Sequence, residues 1–519
     1  MTGPGAPDPS AERPDKVVVV LLDSLNRHLL GAYGSDEFST PNLDRFAASS
    51  TVFDRHHVGS LPCMPARHDL LVGALDFLWR PWGSIEVWEE AITSELRRRG
   101  VTTMLVSDHP HLFETGGENY HCDFTAWDYV RGHENDPWRT RADPTWVGTP
   151  ALPAVPAHTA HRYDESRTWF RDEADFPGPR TMTAAAEWLR RDAPHHDSFL
   201  LLIDEFDPHE PFDTPEPWAS MYDDGWQGDR LIWPPYAVDA IAKGVVTARD
   251  AAHIRANYGA KLSMIDHWFG TVLDRIDALD DDVAVIVCTD HGHYLGEHDT
   301  FGKPGSPIWR EMGNIPLMIR WPGARPGRSS ALTTTVDLHA TLCDVFGIEP
   351  EHTTHGRSLV PLLDGSATSV RDHVLAGYWS RHVYLIDDEH TYGRSPVGDG
   401  FPLEMWSNRW SSMPIGHAVP EYRFPKPDQR ATLGTMPGTT APVIRQPFSP
   451  GDLLPFWAYG APIDDHHLYD ADDTDERENL AGSTVADDAA ERLRDALGAV
   501  EAPPHQLARL GLCSAPPSS

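Results

Sequence analysis

The sequence is short of basic residues. Lysine and arginine number 43 of 519 residues against 78 aspartates and glutamates, and the formal net charge is −35. Nucleic acids and anionic membranes recruit proteins through basic patches, so this balance argues against both as partners. It serves solubility, and it makes each cation in a pocket more informative. Cysteine is scarce as well. The five, Cys63, Cys122, Cys288, Cys343 and Cys513, are an odd number, widely spaced, with no C-x-x-C pair. That argues against a disulfide framework and against a zinc–thiolate site. Cys288 and Cys343 lie in apolar runs and read as core. No run is apolar for long enough to span a bilayer. Residues 1–15 are rich in proline, glycine and charge and lack the apolar segment of a secretory signal. They read as a disordered tail, which points to the cytoplasm.

Short, β-branched apolar runs are plentiful, and most end on an acid. Residues 16–22 (KVVVVLL) meet Asp23, 102–107 (TTMLVS) meet Asp108, 199–203 (FLLLI) meet Asp204, and 283–289 (VAVIVCT) meet Asp290. A further run, 315–319 (IPLMI), ends at Arg320. Helical periodicity fills the intervals at 84–99, 181–191 and 250–279. Strands alternating with helices predict an α/β fold with a large, mostly parallel sheet between helices. Ligands of such sheets sit beyond the carboxyl ends of the strands, where the acids stand. Residues 108–175 and 207–236 are irregular and crowded with Trp, Pro and His, as loops over that edge would be. Trp127, Trp138, Trp146 and Trp169 could line a pocket for an apolar leaving group, or bind the loops to the body. After about residue 370 short strand candidates (373–376, 383–386) alternate with Pro- and Gly-rich connectors, and a helix follows at 486–500. The expected organisation is a tail at 1–15, a catalytic domain at 16–370, and a C-terminal α+β subdomain at 371–519 with a small antiparallel sheet and a terminal helix.

Several clusters carry chemistry. Cys63-Met64-Pro65-Ala66-Arg67 sets a permanent cation four positions after a cysteine, able to stand beside whatever that cysteine becomes. Asp290-His291-Gly292 offers a carboxylate and an imidazole at a strand end, and Asp23 offers a third ligand. Oxygen donors with one histidine suit Ca²⁺, Mg²⁺ or Mn²⁺ better than a thiolate-seeking metal. Lys303, thirteen positions after Asp290 and next to Gly302, could return to that site and hold the oxygens of an anionic ester. His209, between Pro208 and Pro211, is a candidate proton donor to a leaving oxygen.

In this order, the pieces resemble the sulfatase family of the alkaline-phosphatase-like superfamily. The resemblance rests on Asp23, Tyr33-Gly34, Thr40 to Asp44, Cys63-x-Pro-x-Arg67, Pro208-His209-Glu210-Pro211-Phe212, Asp290-His291-Gly292, Gly302-Lys303, Asp337 to Gly347, His355 to Leu359 and Leu468-Tyr469-Asp470, and it runs from about 16 to 482. It implies a formylglycine at Cys63, made after translation by a formylglycine-generating enzyme. It also implies one divalent ion, Ca²⁺ or Mn²⁺, on Asp23, the modified Cys63, Asp290 and His291. Arg67 would stabilise the hydrated aldehyde, Lys303 would hold sulfate oxygens, and His209 would protonate the leaving group. The implied activity is hydrolysis of small-molecule sulfate monoesters by an arylsulfatase-like enzyme, which could form homo-oligomers. The alternatives are a phosphonate monoester or phosphodiester hydrolase of the same fold, and a non-catalytic binding protein built on it. Two departures bear on the choice. Ser24 stands where many sulfatases carry a second aspartate, and His291 fills a place often held by Asn. The family's Gly-Lys-Trp-His stretch is replaced by Ser107-Asp108-His109-Pro110-His111, so either His109 or His111 is the candidate for substrate binding there.

Overall fold

A computed structural model describes residues 13–117, 119–147, 163–223, 225–279, 282–305, 307–411, 426–455 and 465–513. Most of the expected tail, 1–12, and part of the first irregular segment, 148–162, lie outside the described residues.

Eight strands form the main sheet: β1 (Lys16–Leu22), β2 (Thr51–His57), β3 (Thr102–Ser107), β4 (Ala126–Tyr129), β5 (Phe199–Glu205), β6 (Val283–Cys288), β7 (Leu317–Arg320) and β8 (Gly327–Thr334). Their order is β8-β2-β7-β6-β1-β5-β3-β4. All run parallel except β7, which is antiparallel to both neighbours. The central strands β1, β5 and β6 are buried on both faces, as their unbroken apolar runs require. One face packs on α1 (Pro41–Ala47), α4 (Pro177–Arg191) and α5 (Ala248–Asp277). The other packs on α2 (Cys63–Val72), α3 (Ile92–Arg98) and α6 (Thr335–Phe346). The expected α/β sandwich is the observed architecture.

Register fixes what the carboxyl edge presents. Leu21 pairs with both Asp204 and Cys288, and Ser107 pairs with Asp204. Asp23, Asp108 and Asp290 therefore emerge together just past the ends of β1, β3 and β6. Two glycines allow the tight packing below this edge. A Cβ on Gly292 would lie 1.7 Å from the Glu311 carbonyl, so the turn after Asp290 admits no side chain there. Gly73 ends α2 at φ +79°, and a Cβ there would lie 2.3 Å from His339 Nδ1 on α6.

A second, five-stranded sheet has the order His467–Asp470, His390–Arg394, Val383–Ile386, Val374–Tyr378, Ser60–Leu61. Its last strand comes from the segment just before Cys63 and pairs in parallel with Gly377 and Tyr378. A three-stranded sheet (Leu403–Ser407, Pro442–Phe448, Thr432–Thr435) and helix α7 (Val485–Ala499) complete the described C-terminal part.

Candidate active site

Cys63 is the first residue of α2 and is buried beneath the carboxyl edge. Ligand atoms of Asp23, Cys63, Asp290 and His291 all lie within 4.8 Å of one another. His291 Nδ1 lies 2.8 Å from the Gly292 carbonyl and donates to it, which leaves the Nε2 lone pair facing Cys63 Sγ at 3.1 Å. Burial pushes the His291 imidazolium down to about 4, so the ring is a neutral donor at physiological pH. Ser24, in the left-handed region at φ +62°, turns its N–H onto Asp290 Oδ1 at 3.0 Å and donates its hydroxyl to Asp23 Oδ1 at 2.7 Å.

The two acids do not ionise alike. Burial and the adjacent Asp290 push the Asp23 carboxyl well up. Burial would raise Asp290 too, but His291 and Arg67 outweigh it and hold that carboxylate ionised. Two carboxylates in one buried site thus hold a proton between them, which a divalent cation would replace. Two acids, an imidazole nitrogen and the position-63 atom fit such an ion, so the expected ligand set converges on one point.

Arg67, one turn along α2, is 1% exposed. Its Nε and Nη2 grip both oxygens of Asp204 at 2.7 and 2.6 Å; Nη1 reaches Asp290 at 2.8 Å and Nη2 reaches Asp23 at 3.0 Å. It meets Cys63 through the main-chain carbonyl, at 3.2 Å. Burial works against its charge, but Asp204, Asp23 and Asp290 fix it as a cation.

Lys303 follows the short strand Phe301–Gly302 and aims at the same point, with Nζ 3.6 Å from Cys63 Sγ and 2.7 Å from His209 Nε2. His209 Nδ1 donates to the Glu210 carbonyl at 2.7 Å, and its ring stacks on Phe206 at 4.1 Å. Nε2 is then an acceptor. Burial pushes the His209 imidazolium well down, while Cys63, Tyr236 and Glu210 overcome burial and push Lys303 up. The shared proton therefore rests on Lys303.

The two histidines after β3 part ways. His111 is taken up by Glu114 and by Glu134, whose Oε2 is 3.3 Å from Nε2. Burial opposes its charge, but Glu114 and Glu134 push it up to about 10. His109 is fully buried, its ring 4.4 Å from that of Phe206, and neither ring nitrogen has a hydrogen-bond partner among the described residues. Burial and Arg67 hold it neutral. An unsatisfied imidazole beside Arg67, His209 and Lys303 is poised for a ligand. Asp108 turns inward to accept from Phe206 N–H at 2.8 Å.

The tryptophans hold loops together. Arg139 lies over Trp138 and Trp169, Arg167 and Arg171 lie over Trp146, and Trp127, on edge strand β4, meets His121. Sequence reasoning missed Tyr236 and Tyr378, and it placed Glu210 inside the motif Pro208–Phe212 without giving it a role. Tyr236 donates to the Glu210 carboxylate and its ring lies 5.9 Å from Lys303 Nζ. Tyr378 is buried, and its hydroxyl feels the charges of Lys303, Cys63 and Asp290. Neither tyrosine sits in a motif, so only the fold brings them here. Asp204 was visible as a strand-end acid, but its role as the main partner of Arg67 was not.

The sheet, the buried acid–histidine–cysteine cluster and the facing lysine define a hydrolase of anionic esters built on an α/β sandwich. The family description "Sulfatase" matches residues 15–348, and the chain belongs to the sulfatase family, making it an enzyme of the sulfuric ester hydrolase class. It is 25% identical over 382 residues to the choline-sulfatase of Rhizobium meliloti (strain 1021), covering 67% of this chain and 71% of that one. It is 24% identical over 405 residues to human arylsulfatase K, covering 72% and 70%. Its fold is similar to the crystal structure of the phosphonate monoester hydrolase of Agrobacterium radiobacter, with TM-score 0.64 and 19% identity over 94% of this chain and 96% of that chain.

Proposed function

We propose that the protein hydrolyses sulfate monoesters with a formylglycine made from Cys63 and one divalent cation, Ca²⁺ or Mn²⁺. The observation that carries this reading is the convergence of Cys63, Asp23, Asp290, His291 and Lys303 on one buried point. The cation, bound by Asp23, Asp290, His291 and position 63, would supply Lewis-acid activation. The hydrated aldehyde would supply a nucleophilic hydroxyl, and a second hydroxyl whose deprotonation expels sulfate.

The other steps belong to this chain's side chains. Lys303 holds the ester's non-bridging oxygens. His209 and Lys303 share the proton that the leaving oxygen needs, so the acid is the pair. Arg67 keeps Asp23 and Asp290 in place and leaves little charge over for substrate. His109, in preference to His111, is free to donate to a substrate oxygen.

A second reading, hydrolysis of phosphonate monoesters or phosphodiesters, is favoured by Ser24. With serine in place of a second acid, the ligand set is Asp23, Asp290 and His291 with position 63, and Lys303 is the cation that faces it. That charge suits a singly charged ester of either element.

Mass spectrometry of the Cys63 peptide, from protein co-expressed with a formylglycine-generating enzyme, tests the nucleophile. The expected result is the aldehyde or its hydrate; an intact thiol in active protein would sink the reading. Cys63→Ala is expected to lower kcat/KM by about a thousandfold or more. Side-by-side rates on an aryl sulfate and an aryl phosphonate monoester separate the two substrates. Chelation should lower the melting temperature, and Ca²⁺ or Mn²⁺ should restore it; an unchanged melting curve would contradict the metal site.

A further inference from the structure

Among the described residues, Tyr236 is the aromatic ring at this site with a large exposed surface. The residue is 44% exposed, yet its hydroxyl is drawn inside, donating to the Glu210 carboxylate, which is buried. Glu210 is also the residue that orients His209. Its carbonyl accepts from His209 Nδ1 at 2.7 Å, and its Oε2 lies 3.4 Å from that nitrogen and 3.3 Å from His293 Nε2. Tyr236 and His209 are therefore held by one residue, the first through its carboxylate and the second through its main-chain carbonyl.

The ring is also fixed from the other side. Ala237 and Phe301 exchange backbone hydrogen bonds at 3.1 and 2.9 Å, which joins the loop to the strand that delivers Lys303. Gly302 leaves the space: a Cβ there would lie 2.3 Å from Tyr236 Cδ1. The ring is thus held rigidly, with its polar end in the site and its apolar body facing solvent.

Direction then decides its use. In an in-line displacement the leaving oxygen departs from the side opposite the attacking atom. The attacking atom is at position 63, and Lys303 Nζ stands between the two groups, 3.6 Å from Cys63 Sγ and 2.7 Å from His209 Nε2. A leaving oxygen at His209 places the group it carries beside Tyr236.

We propose that Tyr236 selects the leaving group, its exposed ring being the surface on which an aryl group lies while the ester oxygen faces His209. This deepens the hydrolase reading above and rests on it. The four tryptophans once open to this role are engaged with arginines or loop histidines.

The test compares two sulfate esters of similar leaving-group acidity, phenyl and hexafluoroisopropyl, as kcat/KM with kcat and KM resolved. If the phosphonate monoesters are the substrates, the same two alcohols serve on methylphosphonate. Wild-type protein should prefer the phenyl ester by about tenfold, the size of one aromatic contact of about 1.4 kcal/mol. Tyr236→Ala should abolish that preference, mainly through the KM for the phenyl ester. Tyr236→Phe, which keeps the ring, should retain it. Tyr236→Leu, apolar but ringless, should lose it and guards against a folding defect in the alanine variant. The inference is overturned if wild type shows no preference, if the alanine and leucine variants keep it, or if Tyr236→Phe loses it equally. Wild-type protein inert toward every ester overturns the hydrolase reading and this inference together; activity without the Tyr236 effect overturns the inference alone.

Discussion

Arg67 shows what a single buried cation does here. Three carboxylates share it, and removing it leaves them facing one another out of water. Arg67→Ala should cost about 3–5 kcal/mol, read as a lower urea midpoint, because the loss strands buried charge. Arg67→Lys should fall between, since an ammonium cannot make the two-pronged contact with Asp204. Lys303→Ala should lower kcat/KM about a hundredfold or more, the usual effect of removing one charge-stabilising donor. Both residues were legible in the sequence, because fixed spacing to Cys63 and Asp290 marks them. His109 and His111 were not separable. They are two positions apart in one loop, and what distinguishes them is the presence of Glu114 and Glu134 around one ring only. That distinction is made by tertiary packing, and no local pattern carries it.

The elements show the same division between pattern and packing. The runs 16–22, 102–107 and 283–289 gave strands at nearly their observed limits, since burial on both faces writes itself as unbroken apolar sequence. Thr51–His57, one strand in from the edge, and the edge strand Gly327–Thr334 were missed, because both mix charged or polar residues into the run, and β7 carries no mark of its reversed direction. The helix expected at 84–99 begins only at Ile92. Glu86 is pulled into the body by Arg80, Ser407 and Asn408, and Glu89 by His68 and Arg80, so the preceding residues cannot coil. That cluster makes a pH prediction for α2. Burial works against the His68 cation, yet Asp76 and Glu89 outweigh it and push its pKa up to about 9. A folded value above the unfolded value of about 6.5 stabilises fully below about pH 6.5. The stabilisation is lost as pH rises through about 9. Thermal denaturation should therefore show falling stability across that window, and His68→Gln should flatten the slope.

At the scale of the whole molecule, a net charge of −35 must be confined in one body. Self-repulsion weakens such a body, and salt screens it. Raising KCl from about 0.02 to about 0.5 M should raise the melting temperature by roughly 1 °C, the shift expected of about 1 kcal/mol in a chain of 519 residues. A fall would place the stabilising weight on exposed ion pairs such as Arg45–Asp274. The join between the two sheets has a consequence in time. Ser60–Leu61 finds its strand partners only at Gly377 and Tyr378, more than three hundred residues further along the chain. Translation delivers the loop around Cys63 long before the segment that holds it in place. Once folded, Cys63 is 2% exposed and closed to another enzyme. The conversion proposed for it would then have its opening while the C-terminal third is still being made, and the rate of elongation through that stretch would set how much of the protein is matured.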